Sequence, residues 1–197
     1  MKSALLVIDV QESFRQRPYW QDRELQPFLS NVQALADDCR RRGVPVLQVF
    51  HCEPPASSSN PFALESGHVR TLSGLQLQPA AVFHKCVHSA LFGRAASGLT
   101  LEQWLQQHDI EEVLVTGIRT EQCCETTTRH ASDRGYAVRY VSDATLTFPM
   151  QSRRGRWFST AELRERTELV LDGRFAQVVS TAEALGSGAA WLERSSA

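Results

Sequence analysis

The chain lacks an excess of either charge. It has 21 Lys and Arg residues against 22 Asp and Glu residues, a formal net charge of −1 at pH 7. This balance argues against a nucleic-acid or membrane partner. No apolar run is long enough to cross a bilayer, and the apolar N-terminal segment reaches an acidic residue at Asp9, too early for a secretory signal. We therefore expect a cytoplasmic protein.

Cysteine spacing of the kind that marks a disulfide framework or a zinc ribbon is also missing. The chain has five cysteines, an odd number, and no CxxC pair. This pattern favours reduced thiols. The length of 197 residues and the 42% hydrophobic content fit one domain with a full-sized core. We expect that domain to span residues 1–186, followed by a C-terminal tail, 187–197, from which Trp191 could dock.

Short apolar runs alternate with amphipathic segments along the chain. The pattern predicts strands at 4–10, 44–50, 80–84, 111–116, 136–141 and 175–179, and helices at 25–42, 99–107, 120–134, 160–171 and 181–185. The proline- and serine-rich segment 51–73 is a predicted loop. This alternation predicts an α/β fold: a single-domain, three-layer α/β/α, doubly wound sheet of about six mainly parallel strands. Such sheets bind ligands at the carboxyl ends of their strands.

The most informative stretch is VLVTGIRTEQCCETTTRH, residues 113–130. Its first residues predict a buried strand, which Gly117 should break, and Thr120 is a candidate cap for the helix that follows. Cys123 would then lie near the start of a helix. Free N–H groups there favour a thiolate and, beside it, a developing oxyanion.

Two further reactive residues follow predicted strands, Asp9 and Lys85. A carboxylate can serve as a base, an ammonium can lower the pKa of a thiol, and the thiolate is a nucleophile. Each residue alone also has an ordinary structural explanation, as a loop cap, a solvated charge or a small buried side chain. The parallel sheet would bring all three to one edge, and the combination is more informative than any member.

Three stretches of the chain resemble the isochorismatase-like cysteine hydrolases, a family that includes nicotinamidases and N-carbamoylsarcosine amidohydrolases. The resemblance covers nearly the whole chain and lies in LLVIDVQESF (5–14), VFHKCVHSALF (82–92) and GIRTEQCCETTTRHASDRGYAVRYVSDA (117–144). The matching positions are Asp9, Gln11, Lys85, Ser89, Ala90, Gly117, Thr120, Cys123, Gly135, Tyr136, Val138, Asp143 and Ala144.

The resemblance implies an Asp9–Lys85–Cys123 triad and a cis peptide bond between Ile118 and Arg119. The backbone N–H groups of Arg119 and Cys123 would form an oxyanion hole. It further implies a small-molecule substrate, no cofactor, and a homodimer or homotetramer. Isochorismatases proper lack the cysteine, so Cys123 indicates cleavage of a C–N bond in a small amide or ureido compound through a thioester.

Candidate substrate-binding residues are Gln11, from the Asp-x-Gln motif, and the aromatic residues Phe14 and Phe148. Trp20 and Trp157 are further candidates for the wall of a small pocket, although ordinary packing explains such aromatics equally well. Two positions depart from the family pattern. Cys124 stands where Val is common, and Leu91 stands where an aromatic residue is usual, with Phe92 one place later.

The sequence also allows other interpretations. His51, Glu53 and His68 could form a zinc site, but their spacing differs from the Asp-x-His motif of nicotinamidases, so we expect no metal. The arginines of residues 153–156 could contact an anionic substrate. The chain could also be a catalytically silent binding or scaffold protein that kept the fold. A redox function of Cys123 and Cys124 is a third class, which the strain of a vicinal disulfide disfavours.

Overall fold

The structure, a computed structural model, describes residues 1–186. The predicted tail 187–197, including Trp191, lies outside the described residues. The strands are β1 (Ser3–Ile8), β2 (Val46–His51), β3 (Ala81–Lys85), β4 (Glu112–Ile118), β5 (Ala137–Leu146), β6 (Met150–Gln151), β7 (Trp157–Phe158) and β8 (Gln177–Val179). Six of them form one parallel sheet in the order β3-β2-β1-β4-β5-β8. The strands β6 and β7 form a separate antiparallel hairpin.

Within residues 1–186, five α-helices cover the sheet: α1 (Leu25–Arg42), α2 (Leu101–Gln107), α3 (Glu125–Asp133), α4 (Thr160–Leu171) and α5 (Thr181–Gly186). Short 3-10 turns lie at Glu12–Gln16, Leu64–Ser66 and Ala90–Phe92, and one π-helical turn, Thr120–Cys124, precedes α3. None of the helices described within residues 1–186 has the length and apolar character needed to span a membrane.

The sheet separates two hydrophobic cores, as β1 shows. Leu5 and Val7 pack on one face with α1 and α5, whereas Leu6 and Ile8 pack on the other with α2, α3 and α4. Successive side chains of a strand point to opposite faces, and every residue of β1 is buried, as expected of a strand covered on both sides. The three-layer, doubly wound prediction is confirmed.

The first helix was predicted to the residue. Its apolar positions recur at helical spacing and are buried, among them Leu29, Val32 and Leu35. The helix ends at Gly43, which has a φ of 68° and donates its N–H to the carbonyls of Arg40 and Cys39. A glycine in this left-handed conformation avoids the steric penalty of a side chain and stops the helix.

Several boundaries differ from the prediction. Strand β4 continues through Gly117 to Ile118, and β5 continues past Ser142 to Leu146, where the two strands stay paired across a bulge. The segment after β4 begins as a π-helical turn, and the prediction that Thr120 caps it is wrong. The hydroxyl of Thr120 instead bonds the hydroxyl of Thr145 at 2.8 Å, because Thr120 is fully buried against β5.

Gly117 marks a close approach between β4 and β1. Its φ is 133°, and a Cβ atom built there would lie 2.0 Å from the backbone oxygen of Ile8. Any other side chain would therefore push β4 and β1 apart close to their carboxyl ends. Only glycine allows the ends of β1 and β4 to meet at this distance.

Candidate active site

The three residues predicted to form a triad lie together at one edge of the sheet, where the carboxyl ends of the parallel strands meet; we call it the carboxyl edge. Asp9 follows β1, Lys85 ends β3, and Cys123 lies in the π-helical turn after β4. Asp9 has a φ of 55°, an uncommon conformation for a residue with a side chain. It is completely buried. This strained, buried carboxylate is held in place by its surroundings, as is common at functional sites.

Lys85 is the centre of the arrangement, and its side chain is fully buried. Its Nζ lies 2.7 Å from Asp9 Oδ2, 3.4 Å from Cys123 Sγ and 3.3 Å from His51 Nδ1. Burial lowers the pKa of Lys85, but the negative charge of Asp9 and the hydrogen bond to it, with a further contribution from Cys123, raise it above its ordinary value. Lys85 is therefore an ammonium at neutral pH and a fixed positive charge in this site.

The π-helical turn places Cys123 beside that ammonium. The N–H groups of Gln122 and Cys124 both donate to the carbonyl of Arg119, each at 3.2 Å. Tyr140, buried in β5, donates its hydroxyl to the carbonyl of Thr120 at 3.1 Å. These bonds fix the turn to the sheet. Helical turns of this type occur frequently at functional sites.

The electrostatics of Cys123 differ from the expectation. Burial and the negative charge of Asp9 raise the pKa of its thiol, and although Lys85 lowers it as predicted, the net pKa lies far above the ordinary value. The free protein therefore holds a protonated thiol. Asp9 and Cys123 both contact the Lys85 ammonium, and Asp9 Oδ1 is buried without a hydrogen-bond partner among the described residues. That unpaired carboxylate oxygen can accept a proton.

Cys124 has a different environment from its neighbour. It is completely buried in the core on the α3 side of the sheet, and burial raises the pKa of its thiol well above the ordinary value. Cys123 retains 6% exposure and contacts Lys85. Of the two, only Cys123 reaches the charged side chains of the carboxyl edge.

The peptide bond between Ile118 and Arg119 is cis. The side chain of Arg119 is buried, lies 3.0 Å from Glu121 Oε1, and packs over the rings of Tyr19 and Phe148 at 5.0 and 5.8 Å. The Arg119 backbone is thus held next to the π-helical turn that carries Cys123. This is the neighbourhood in which the resemblance implies an oxyanion hole.

Residues 3–183 match the Isochorismatase domain family. The chain belongs to the isochorismatase family. It is 29% identical over 189 residues to Nicotinamidase 3 of Arabidopsis thaliana, a match that covers 90% of this chain and 84% of the relative. A solved structure from Burkholderia xenovorans LB400, assigned to the isochorismatases, is 30% identical with a TM-score of 0.80, over 94% and 86% of the two chains.

A cysteine hydrolase from Pseudomonas syringae pv. phaseolicola 1448A has the same TM-score of 0.80 at 22% identity, and covers 94% of this chain and 91% of its own. At that identity the likeness shows the shared fold. The chain is thus an isochorismatase-family hydrolase, with the α/β architecture typical of that family.

The side chain of Gln11 in this isochorismatase-family hydrolase forms hydrogen bonds with other residues of the protein. It is completely buried, donates to the His51 carbonyl at 3.0 Å and to Ser13 Oγ at 2.9 Å, and accepts the His51 N–H at 2.8 Å. The amide thereby joins the ends of β1 and β2. The substrate contact expected for Gln11 stays a prediction, and its observed role is to hold the backbone of His51.

The aromatic residues predicted to line a pocket lie in three different parts of the structure. Phe14 packs edge-on against Phe62 with ring centroids 5.1 Å apart, and Phe148 packs against Trp20 at 5.2 Å. Both Phe14 and Phe148 are buried, whereas Trp157 is 63% exposed on the β6–β7 hairpin. Phe148, which also contacts Arg119, is therefore the predicted aromatic residue joined most directly to the Cys123 turn.

Two histidines of this isochorismatase-family hydrolase reach the triad, and the sequence interpretation assigned neither to it. His88, exposed in the loop after β3, has its Nδ1 3.8 Å from Cys123 Sγ. His51, the last residue of β2, contacts Lys85. Both lie at or just beyond the carboxyl end of a strand. Parallel sheets bind ligands at these ends, so treating every polar residue there as a candidate site residue would have found both histidines.

The remaining charged residues do not form a metal cluster in the part of the chain that the structure describes. There, no three His, Cys, Asp or Glu side chains are grouped to hold a metal ion. His51 Nε2 lies 3.4 Å from Glu53, while its Nδ1 faces the ammonium of Lys85.

In the arginine-rich segment 153–156, Arg156 pairs with Glu162 at 2.8 Å at the exposed β6–β7 hairpin.

Proposed function

We propose that this isochorismatase-family hydrolase cleaves a C–N bond of a small amide or ureido compound, with Cys123 as the nucleophile and a covalent thioester as the intermediate. The observation that carries the proposal is the position of the Lys85 ammonium, 2.7 Å from Asp9 and 3.4 Å from Cys123 Sγ, with all three residues buried. A base and a thiol that both contact one fixed cation suit acyl transfer to sulfur.

In the first half of the reaction, Cys123 Sγ attacks the carbonyl carbon while its proton moves to Asp9. Lys85 stabilises both the carboxylate before the transfer and the negative charge that develops on sulfur. The N–H groups of Arg119 and Cys123 are the proposed donors to the carbonyl oxygen. The C–N bond then breaks, and the proton held by Asp9 leaves with the nitrogen as ammonia or an amine.

In the second half, water hydrolyses the thioester. Asp9, again a carboxylate, takes a proton from the attacking water, and the sulfur leaves from the carbonyl carbon. The proton on Asp9 returns to Cys123, which restores the thiol. The raised pKa of Cys123 supports this sequence, because a thiol that is protonated at rest needs a base to take its proton.

The expected substrate class rests on two supports. A thiol nucleophile fits amides and ureas, whose carbonyl carbon can form a thioester. Among the relatives, Nicotinamidase 3 of Arabidopsis thaliana and the nicotinamidase of Escherichia coli, each 29% identical, carry names that refer to a primary amide.

We also expect a homodimer or homotetramer, for which light scattering at micromolar concentration is the test.

The function is tested by measuring ammonia release from a panel of primary amides and ureido compounds, nicotinamide included. We expect turnover of at least one compound, and a thioester adduct on the Thr120–Arg129 tryptic peptide when the reaction is quenched in acid. Cys123→Ala should abolish both. Cys124→Val is the matched control and should keep most activity, since Cys124 is a buried apolar filler.

Full activity in Cys123→Ala would overturn the nucleophile assignment. If the wild type releases no amine from any compound and forms no adduct, the catalytically silent binding protein becomes the better interpretation.

A further inference from the structure

Lys85 makes one contact with a residue outside the proposed Asp9–Lys85–Cys123 triad. An ammonium group has three protons to donate, and three acceptors surround Lys85 Nζ: Asp9 Oδ2 at 2.7 Å, Cys123 Sγ at 3.4 Å and His51 Nδ1 at 3.3 Å. We propose that His51 is a positioning residue that accepts the third proton of Lys85 and so fixes the direction in which the other two point. The inference rests on the proposed function and adds a fourth residue to that site.

The His51 ring can accept at Nδ1 only if its proton is on Nε2. The structure supplies the partner for that proton, because His51 Nε2 lies 3.4 Å from Glu53 Oε1. Arg17 in turn lies 3.0 Å from Glu53 Oε2 and holds that carboxylate. The chain of contacts therefore runs from Arg17 through Glu53 and His51 to Lys85, and it assigns the Nε2–H tautomer.

The ring is also held from its other sides. The Gln11 amide bonds both the N–H and the carbonyl of His51, so the backbone cannot slide along β1. The Phe62 ring packs against the His51 ring at a centroid distance of 5.8 Å. Burial and the positive charge of Lys85 lower the pKa of His51, outweighing the charges of Asp9 and Glu53, which favours the neutral ring.

The consequence concerns orientation at the sulfur. Without an acceptor at the His51 position, one N–H of a buried ammonium would be unpaired, which is unfavourable, and Lys85 would turn to find water or another acceptor. Either movement changes the angle of the N–H that points at Cys123. We therefore expect His51 to affect the reactivity of the thiol without contacting the substrate.

Two substitutions test the contacts of the two His51 ring nitrogens separately. His51→Asn keeps a polar atom near the Nδ1 position, where its Oδ1 can accept from Lys85. His51→Gln keeps a polar atom near the Nε2 position, where it can meet Glu53 but offers Lys85 no acceptor at the original place. Both replacements are neutral amides, so the pair differs mainly in which contact survives, and His51→Leu removes both.

The first measurement is the rate at which iodoacetamide alkylates Cys123 in the full chain. A Cys86→Ser background is used because Cys86 is exposed and would compete for the reagent. Tryptic cleavage after Arg119 gives a peptide whose fragment ions distinguish Cys123 from Cys124. We expect the His51→Gln and His51→Leu variants to react roughly tenfold to a hundredfold more slowly than His51→Asn, the range for loss of a hydrogen bond to a charged group.

With any amide that the wild type hydrolyses, kcat should fall in the same order while KM changes little. His51→Gln reacting as fast as His51→Asn, or faster, overturns the inference. A wild type that hydrolyses nothing, but in which alkylation follows the predicted order, counts against the proposed function and leaves the inference standing.

A measurement on the wild type guards against variants that do not fold. The ¹⁵N NMR shifts of the His51 ring should show a protonated Nε2 and an unprotonated, accepting Nδ1 at neutral pH. A proton on Nδ1 overturns the inference whatever the variants do.

Discussion

Gly117→Ala tests whether the close approach of β1 and β4 is required for the fold and the site. The new methyl carbon would lie 2.0 Å from the backbone oxygen of Ile8 and 2.8 Å from its carbonyl carbon. Non-bonded carbon contacts are near 3.5 Å, so one strand must move by more than about 1 Å. Both are inner strands of a parallel sheet, and the moving atom belongs to the backbone, which cannot rotate away.

The expected loss of stability combines two terms. Holding alanine at a φ of 133° is unfavourable by about 1–3 kcal/mol, and overpacking adds about 3 kcal/mol at the upper end of its usual range. Gly135→Ala is the matched control. Its φ of 88° carries strain of about 1–2 kcal/mol, but no atom lies within 4 Å of the added carbon.

Urea unfolding of the two variants at pH 7 measures the difference. We expect Gly117→Ala to lose about 3 kcal/mol more than Gly135→Ala, with a melting temperature lower by about 6–12 °C for a chain of this length. Ile8 precedes Asp9 directly, so iodoacetamide should also alkylate Cys123 at a changed rate in Gly117→Ala alone. Equal stability losses within about 1 kcal/mol would refute the close-approach argument.

Two further predictions concern buried groups outside the site. Glu112 accepts two bonds from Arg139, at 3.0 and 3.1 Å, and one from Ser3 at 2.9 Å. Glu112→Ala should therefore lower the free energy of unfolding by about 3–5 kcal/mol, whereas Glu111→Ala, at an exposed side chain, should change it by less than about 1 kcal/mol; equal effects would contradict this. Burial raises the Cys39 thiol pKa from 9.0 to about 11, so its neutral form stabilises the fold below pH 9 and that contribution is lost as pH rises to 11. Urea unfolding at pH 8 and 11 should show the advantage of wild type over Cys39→Ala shrinking by about 2 kcal/mol, and a constant difference would contradict this.

The sequence by itself determined the architecture and the three residues of the proposed triad. Continuous apolar runs such as 4–8 specify strands buried on both faces, and the 3.6-residue spacing of Leu29, Val32 and Leu35 specifies α1; both signals are local. Once the sheet is parallel, residues that follow its strands must share one edge, so Asp9, Lys85 and Cys123 could be grouped without coordinates. The family match and the likeness to solved structures agree with that architecture.

Tertiary structure decided the boundaries and the electrostatics, because both depend on contacts between distant segments. Pairing with β4 carries β5 past Ser142, and the buried Tyr140 and Thr145 hold Thr120 in a π-helical turn that a local capping rule cannot anticipate. Desolvation is a property of the assembled core, which is why the Cys123 thiol, beside a lysine, still has a raised pKa. The same assembly uses Gln11 to hold His51, and brings His51 within 3.3 Å of Lys85, which lies 34 positions later in the sequence.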